Sequence, residues 1–336
     1  MVIANSLRPN GSEKYFHTSF SIPNNISNGK HFFQVWAADS CGNMSVPVTV
    51  YFNVNKDVTA PTGTHSINPT NWTNGDVTIT LNTTDDMSGV KRIKKPDGSY
   101  IYSVSTIYVV PANGSYTFVL EDNVGNTRNY TVTINNIDKT APTGSLSHSP
   151  TNWVNTDVKI HWSVADANSG FKQIKLPDGT IKTTATGDYT VSQNGTYTFV
   201  VYDVAGNTLT LQETVTNIDK TPPTGSLNHN PTDWVIDYVK IHWTASDSQS
   251  GFNRVVLPDG TSTTNASGDF TVTDNGTYTF TLYDNVGNSR ILTENINNID
   301  KIMPEGVLSL QENRLTDEKI KISWKAFDLQ SGFSKI

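Results

Sequence analysis

The 336-residue chain holds one cysteine, Cys41, so no disulfide can form within it. That suits a reduced compartment, or an exported protein from a lineage that avoids thiols. No apolar run approaches the ~20 residues of a membrane helix. The opening MVIANSLRPNGSEKY has neither the basic start nor the apolar stretch of a signal peptide. Charge is sparse: 16% of residues are charged, with a net charge of −7, and Lys and Arg read as scattered. Without a basic face to neutralise phosphates, a nucleic-acid partner is not expected. Helical periodicity is absent, as are HExxH, GxSxG and a phosphate-cradling glycine loop.

What the chain does have is repetition. DKTAPTGSLSHSPTNWVNTDVKIHW begins at Asp138, and DKTPPTGSLNHNPTDWVIDYVKIHW begins at Asp219, 81 residues later. The same step leads back to DVTAPTGTHSINPTNWTNGDVTITL at Asp57 and forward to DKIMPEGVLSLQENRLTDEKIKISW at Asp300. The expected modules are 1–55 (partial), 57–137, 138–218, 219–299 and 300–336 (partial). Because a repeat is interrupted at both ends, the chain is expected to be part of a longer reading frame.

Within one copy, Val158, Ile160, Trp162 and Val164 alternate with Lys159, His161 and Ser163, the period of a strand with one buried face. The register returns at Val239, Ile241, Trp243 and Ala245. LPDG at 176–179 and 257–260, with KPDG at 95–98, are tight-turn signals, since Asp-Gly supplies the positive φ that a hairpin needs. NGTYTFVVYDVAGN at 194–207 reads as a turn, a strand and a second turn. About seven short strands at this spacing predict a β-sandwich. So short a sandwich buries only ~60–65% of its unfolded surface, so its core must be dense. Trp162 with Phe199, and Trp243 with Phe280, are the expected inter-sheet pairs.

The set DKTAPT, D-x-x-S-G, PDG, NGTYTF and D-x-x-G-N resembles the bacterial Ig-like repeats of surface-exposed proteins, chiefly of Gram-positive organisms. NGTYTF occupies the place of the tyrosine-corner segment of immunoglobulin domains, with Phe199 where they have the second bridging Cys. The resemblance covers 57–299 fully, 1–55 in its later part and 300–336 in its opening part. It implies an all-β chain of tandem immunoglobulin-like, or fibronectin-III-like, sandwiches arranged end to end, and an extracellular or cell-surface location.

Three aspartates recur in every copy: Asp57, Asp85 and Asp122; Asp138, Asp166 and Asp203; Asp219, Asp247 and Asp284. In such a sandwich their loops share one pole, facing the preceding module. Three convergent carboxylates could take Ca²⁺ there, whereas the simpler role is an Asx-turn that accepts backbone N–H groups. No other cofactor is expected. Trp72, Trp153 and Trp234 fall in loops at the opposite pole, as sugar-stacking candidates or as caps on their own sandwiches. Tyr202 and Tyr283 point outward as cross-strand packing residues or as a sugar-binding strip. His148, His161, His229 and His242 have no second metal ligand at suitable spacing, so no histidine site is expected.

An active site should occur once rather than in triplicate, so no enzyme is expected. Repetition without insertions delivers reach, and short Thr-Ala-Pro or Thr-Pro-Pro stretches read as stiff linkers. The expected function is a monomeric, non-enzymatic stalk of a bacterial surface or secreted protein. The alternatives are an adhesin for cell-wall or host glycan or protein, and ancillary modules of a secreted polysaccharide-degrading enzyme.

Overall fold

The computed structural model describes residues 22, 24–310 and 322–332. They fall into two compact units, Met1–Ile137 and Asp138–Ile336. The chain is all-β, with no helix among the described residues. Among the described residues no helix is long and apolar enough to cross a membrane.

Residues 138–218 show how one copy is built. Thr143–Ser149, Val158–Ala165 and Thr186–Val191 form a three-stranded antiparallel sheet with the second strand at its centre. Ile181–Lys182, Phe171–Lys175, Gly195–Asp203 and Thr208–Val215 form a four-stranded one in that order. The third and fourth strands meet through the Asp-Gly turn, where Gly179 takes a φ of 86° and its N–H donates to Leu176 O at 2.9 Å. All seven strands of copies 57–137 and 219–299 begin and end at the positions 81 residues away.

Alternation drives the packing. Val158, Ile160, Trp162 and Val164 are buried while the residues between them are exposed. They meet Ile174, Phe199, Val201 and Val215 from the other sheet in one apolar cluster. The Trp162 and Phe199 rings lie 6.4 Å apart across the sheets, and Tyr189 stands edge-on to Phe199 at 5.9 Å. Trp243 and Phe280 repeat the contact at 6.0 Å. Each complete copy has its own cluster, drawn only from its own residues.

The sixth strand is pinned as expected. Tyr197 Oη donates to Gln193 O, four residues upstream, at 2.6 Å, and Tyr116 and Tyr278 do the same to Ala112 O and Asp274 O.

Thr-Pro-Pro does not act as the linker between copies two and three. Ile218 belongs to the core of copy two, and Asn194 clamps its backbone twice, donating Nδ2 to its O at 2.7 Å and accepting its N–H at 2.9 Å. Asp219, the next residue, donates its N–H to Val154 O in copy two, while its side chain accepts from Thr221 and Ser250 in copy three. The seam is therefore a single peptide bond. Thr221-Pro222-Pro223 lies inside copy three, with Pro223 buried.

The outer pieces contribute two described strands each. Gly29–Val35 pairs with Val48–Val54, and Glu305–Leu310 pairs with Ile322–Phe327. The second pair keeps the repeat's register, with Leu308 opposite Trp324 as Leu227 is opposite Trp243.

Candidate functional site

The three recurring aspartates do meet in every complete copy. One oxygen from each of Asp57, Asp85 and Asp122 lies within 4.8 Å of the others, and the same holds for Asp138, Asp166 and Asp203, and for Asp219, Asp247 and Asp284. The first member opens the copy, the second follows the second strand, and the third ends the sixth strand.

Backbone donors position each carboxylate. Asp138 accepts from the Thr140 N–H at 2.9 Å and from the Ser169 N–H at 3.0 Å, one on each oxygen. Asp166 Oδ1 accepts from Asn168 and Gly170, the latter at 2.7 Å, which closes its loop as an Asx-turn. Asp203, fully buried, accepts from Gly206 and Asn207 on Oδ1. Asn207 is the keystone: its Nδ2 donates both to Asp203 Oδ2 at 2.7 Å and to Asp138 O at 2.8 Å. Asn126 and Asn288 hold the other copies in the same way.

Fragments of the arrangement persist outside these copies. Asp39 accepts from Cys41, Asn43 and the Asn43 amide, and Asp300 accepts from Ile302 and Ser331.

In each cluster these donors favour the ionised form of the first aspartate. Burial would push Asp138 and Asp219 up, but the N–H and side-chain donors outweigh it and hold both below the ordinary carboxylate range. Asp122 follows the same balance. Asp57 is held down to about 2 by the Ser88 side chain first and the Thr59 N–H next. The Ser88 hydroxyl lies outside hydrogen-bond geometry, so the Thr59 and Ser88 N–H groups are the firmer part of that pull.

Hard carboxylate oxygens at this spacing fit the shell of a Ca²⁺ ion, whose ligands sit about 2.3–2.6 Å from the metal. With one oxygen each, three residues supply half or fewer of the roughly six to eight ligands such an ion takes. Hydrogen bonds already engage at least one oxygen of every aspartate in copy two, whereas Asp85 Oδ2 in copy one is buried with no partner. The turn role thus accounts for these residues' positions, and the spacing leaves a cation compatible with them.

The aromatic candidates lie in other loops of their own copies, although Val154, next to Trp153, accepts from the N–H of Asp219 in the following copy. Trp153 and Trp234 are 41% and 46% exposed, and Trp72 is half-buried. Each directly precedes a residue that bridges to the end of its copy, as Val154 does to Ile218. Tyr283 lies beneath the Arg254 guanidinium of the facing strand at 4.4 Å, and Tyr202 faces Gln173.

Sequence reasoning missed three sets of partners. His148 and Glu213 join the edges of the two sheets at 2.6 Å, as do His229 and Glu294. His161 and His242 pair with Asp188 and Asp269 on the adjacent strand. Asn136, Asn217 and Asn298 each donate to two loop carbonyls, Asn217 to Pro150 O and Asn152 O. Their one signal in the sequence was recurrence at the common period.

No family model matches the chain, and no curated protein matches it. Among solved structures it is similar to one described as giving insight into host cell surface retention of a 1.5-MDa bacterial ice-binding adhesin. That match has 17% identity and a TM-score of 0.34, covering 70% of this chain and 97% of the other. It is also similar to Escherichia coli alpha-2-macroglobulin activated by porcine elastase, at 8% identity and a TM-score of 0.22, covering 84% of this chain and 36% of that one. A third is the Bacteroides ovatus mixed-linkage glucan utilization locus protein SGBP-B in complex with a heptasaccharide. There the identity is 12% and the TM-score 0.14, over 74% of this chain and 75% of the other.

Proposed function

We propose that the chain is a non-enzymatic spacer region of a bacterial surface or secreted protein, made of immunoglobulin-like sandwiches in series that present another domain. The carrying observation is that three copies each close their own core with all strands at one period and every loop the same length. Loops are where a sandwich acquires binding or catalytic function, and here no loop departs in length from its counterparts. The aspartate clusters occur in triplicate with their oxygens turned to backbone N–H groups, which is a structural use. The single-bond seam at Ile218–Asp219 limits bending between copies two and three. The extracellular setting follows from the sequence resemblance.

Small-angle scattering of the whole chain tests this reading. Modules of about 40 Å in series give a radius of gyration at or above about 35 Å, against about 20 Å for a compact chain of this length. The smaller value contradicts the spacer.

A further inference from the structure

One surface on which copy one differs from its sisters is the hairpin of its third and fourth strands. Val90–Lys94 pairs with Tyr100–Ile101, placing Lys94 opposite Tyr100. Ile93 turns into the core, and the cations beside it face outward or lie at its edge. Four of the five residues from Lys91 to Lys95 are Lys or Arg, a local reversal in a chain of net charge −7. The scattered distribution expected of the cations therefore fails here.

The cations and rings are organised together. The Arg92 guanidinium lies 4.5 Å from the Tyr100 ring centroid and Lys94 Nζ lies 5.9 Å from it. Glu121 takes up Lys91 at 2.9 Å and Arg92 at 2.6 Å, which leaves Lys94 exposed outside that pairing, while Lys95 is half-buried with Asp97 nearby. Tyr100 is 49% exposed and Tyr102 71%. Glu121 first, and then the Tyr102 hydroxyl, hold Arg92 firmly in its charged form.

The fold does not require any of this. Where copy one has Arg92, Lys94, Lys95, Tyr100 and Tyr102, copy two has Gln173, Lys175, Leu176, Ile181 and Thr183. Copy three has Arg254, Val256, Leu257, Ser262 and Thr264. Leu176 is buried at the position of Lys95.

We propose that this hairpin of copy one is a binding surface for an acidic polysaccharide. Tyr102 and the open side of Tyr100 offer the apolar surface on which a sugar ring stacks, while Lys94, backed by the positive excess of Lys91–Lys95, pairs with carboxylate or sulfate groups along the polymer. An exposed strand face suits a polymer, whereas a small molecule needs a cleft that encloses it. The surface stands independently of the spacer reading.

The test is retention of the full chain on immobilised polygalacturonate, with neutral dextran and poly-glutamate as comparisons. Retention on polygalacturonate alone, released by salt, is the expected result. Replacing Tyr100→Ser with Tyr102→Thr, the residues of copy three, weakens it about tenfold with an unchanged melting temperature. Lys94→Val weakens it as well and lowers its salt dependence. Three results overturn the proposal: no retention on polygalacturonate, equal retention on dextran, or equal retention on poly-glutamate that ignores the tyrosine changes. The last would mark plain ion exchange or an acidic protein partner.

Discussion

Copies one and two solve the same packing problem with different residues. In copy two, Trp162 lies opposite Gly187, and a Cβ added to that glycine would stand 2.3 Å from the indole. Copy three repeats the pair as Trp243 and Gly268, with the same 2.3 Å approach. In copy one the positions hold Leu81 opposite Thr106, both buried. The smaller core residue is matched by a larger neighbour, so each pair fills its own space. A second exchange follows the same logic at the sheet edges. The His148–Glu213 pair of copy two corresponds to Ile67 and Val132 in copy one, where both partners are apolar. The lesson is that the repeat conserves volume and complementarity across pairs, while single side chains are free to change.

Breaking a pair on one side only has the largest effect. Trp162→Ala costs ~3–5 kcal/mol and largely unfolds copy two, and Gly187→Thr alone costs about 3 kcal/mol through overpacking. The double change Trp162→Leu with Gly187→Thr, which installs the pair of copy one, recovers most of that loss. Hydrogen exchange of residues 158–215 reports it, and a double variant as unstable as Gly187→Thr sinks the pairing argument.

Next comes Asp203→Ala, which strips the acceptor from two backbone N–H groups and the Asn207 amide. A loss of about 2–3 kcal/mol is expected, larger than for the half-buried Asp166→Ala. Equal losses, read by the same exchange measurement, would mean that burial of the turn does not set its worth.

His148→Ile leaves Glu213 without its partner and costs about 1–2 kcal/mol, whereas adding Glu213→Val returns stability to within about 1 kcal/mol of the parent. A double variant weaker than the single one would show that this edge needs its His–Glu contact.

Acid sharpens the comparison further. Asp57, Asp138 and Asp219 all have folded-state values below the ordinary one. Their contribution is complete above the unfolded carboxylate value of about 3.9 and is lost as pH falls through the folded values. For Asp57 that window extends down to about 2. Thermal melts that stay flat between about pH 5 and pH 2 would contradict this assignment. The smallest effect is expected from calcium. If the turns alone fix the clusters, millimolar Ca²⁺ and EDTA give melting temperatures within about 2 °C, and a larger separation assigns the ion to them.

Much of the fold was legible because its signals are local and occur three times. Alternation fixed the second strand, Asp-Gly marked the hairpin, and the tyrosine segment marked the sixth strand. The aspartate triads were legible too, since each member sits beside a Ser-Gly or Gly-Asn turn or opens a copy. Partners far apart in sequence were not. Asn207 reaches Asp138 across 69 residues, and His148 reaches Glu213 across 65, distances over which no local period carries information. The boundary at Ile218–Asp219 was set by the period, but the lack of any separate linker there was not legible, because proline drew attention to Thr221-Pro222-Pro223. The basic hairpin at Lys91–Lys95 was visible as letters, but the chain's acidic total masked it.

Mechanical unfolding of single chains tests the central claim most directly, since each copy is held to be a closed shell that bears load by itself. Three separate events are expected, each releasing about 250 Å of chain, the length of 81 extended residues less the folded module. One event of roughly three times that length would mean a shared core, and would contradict it.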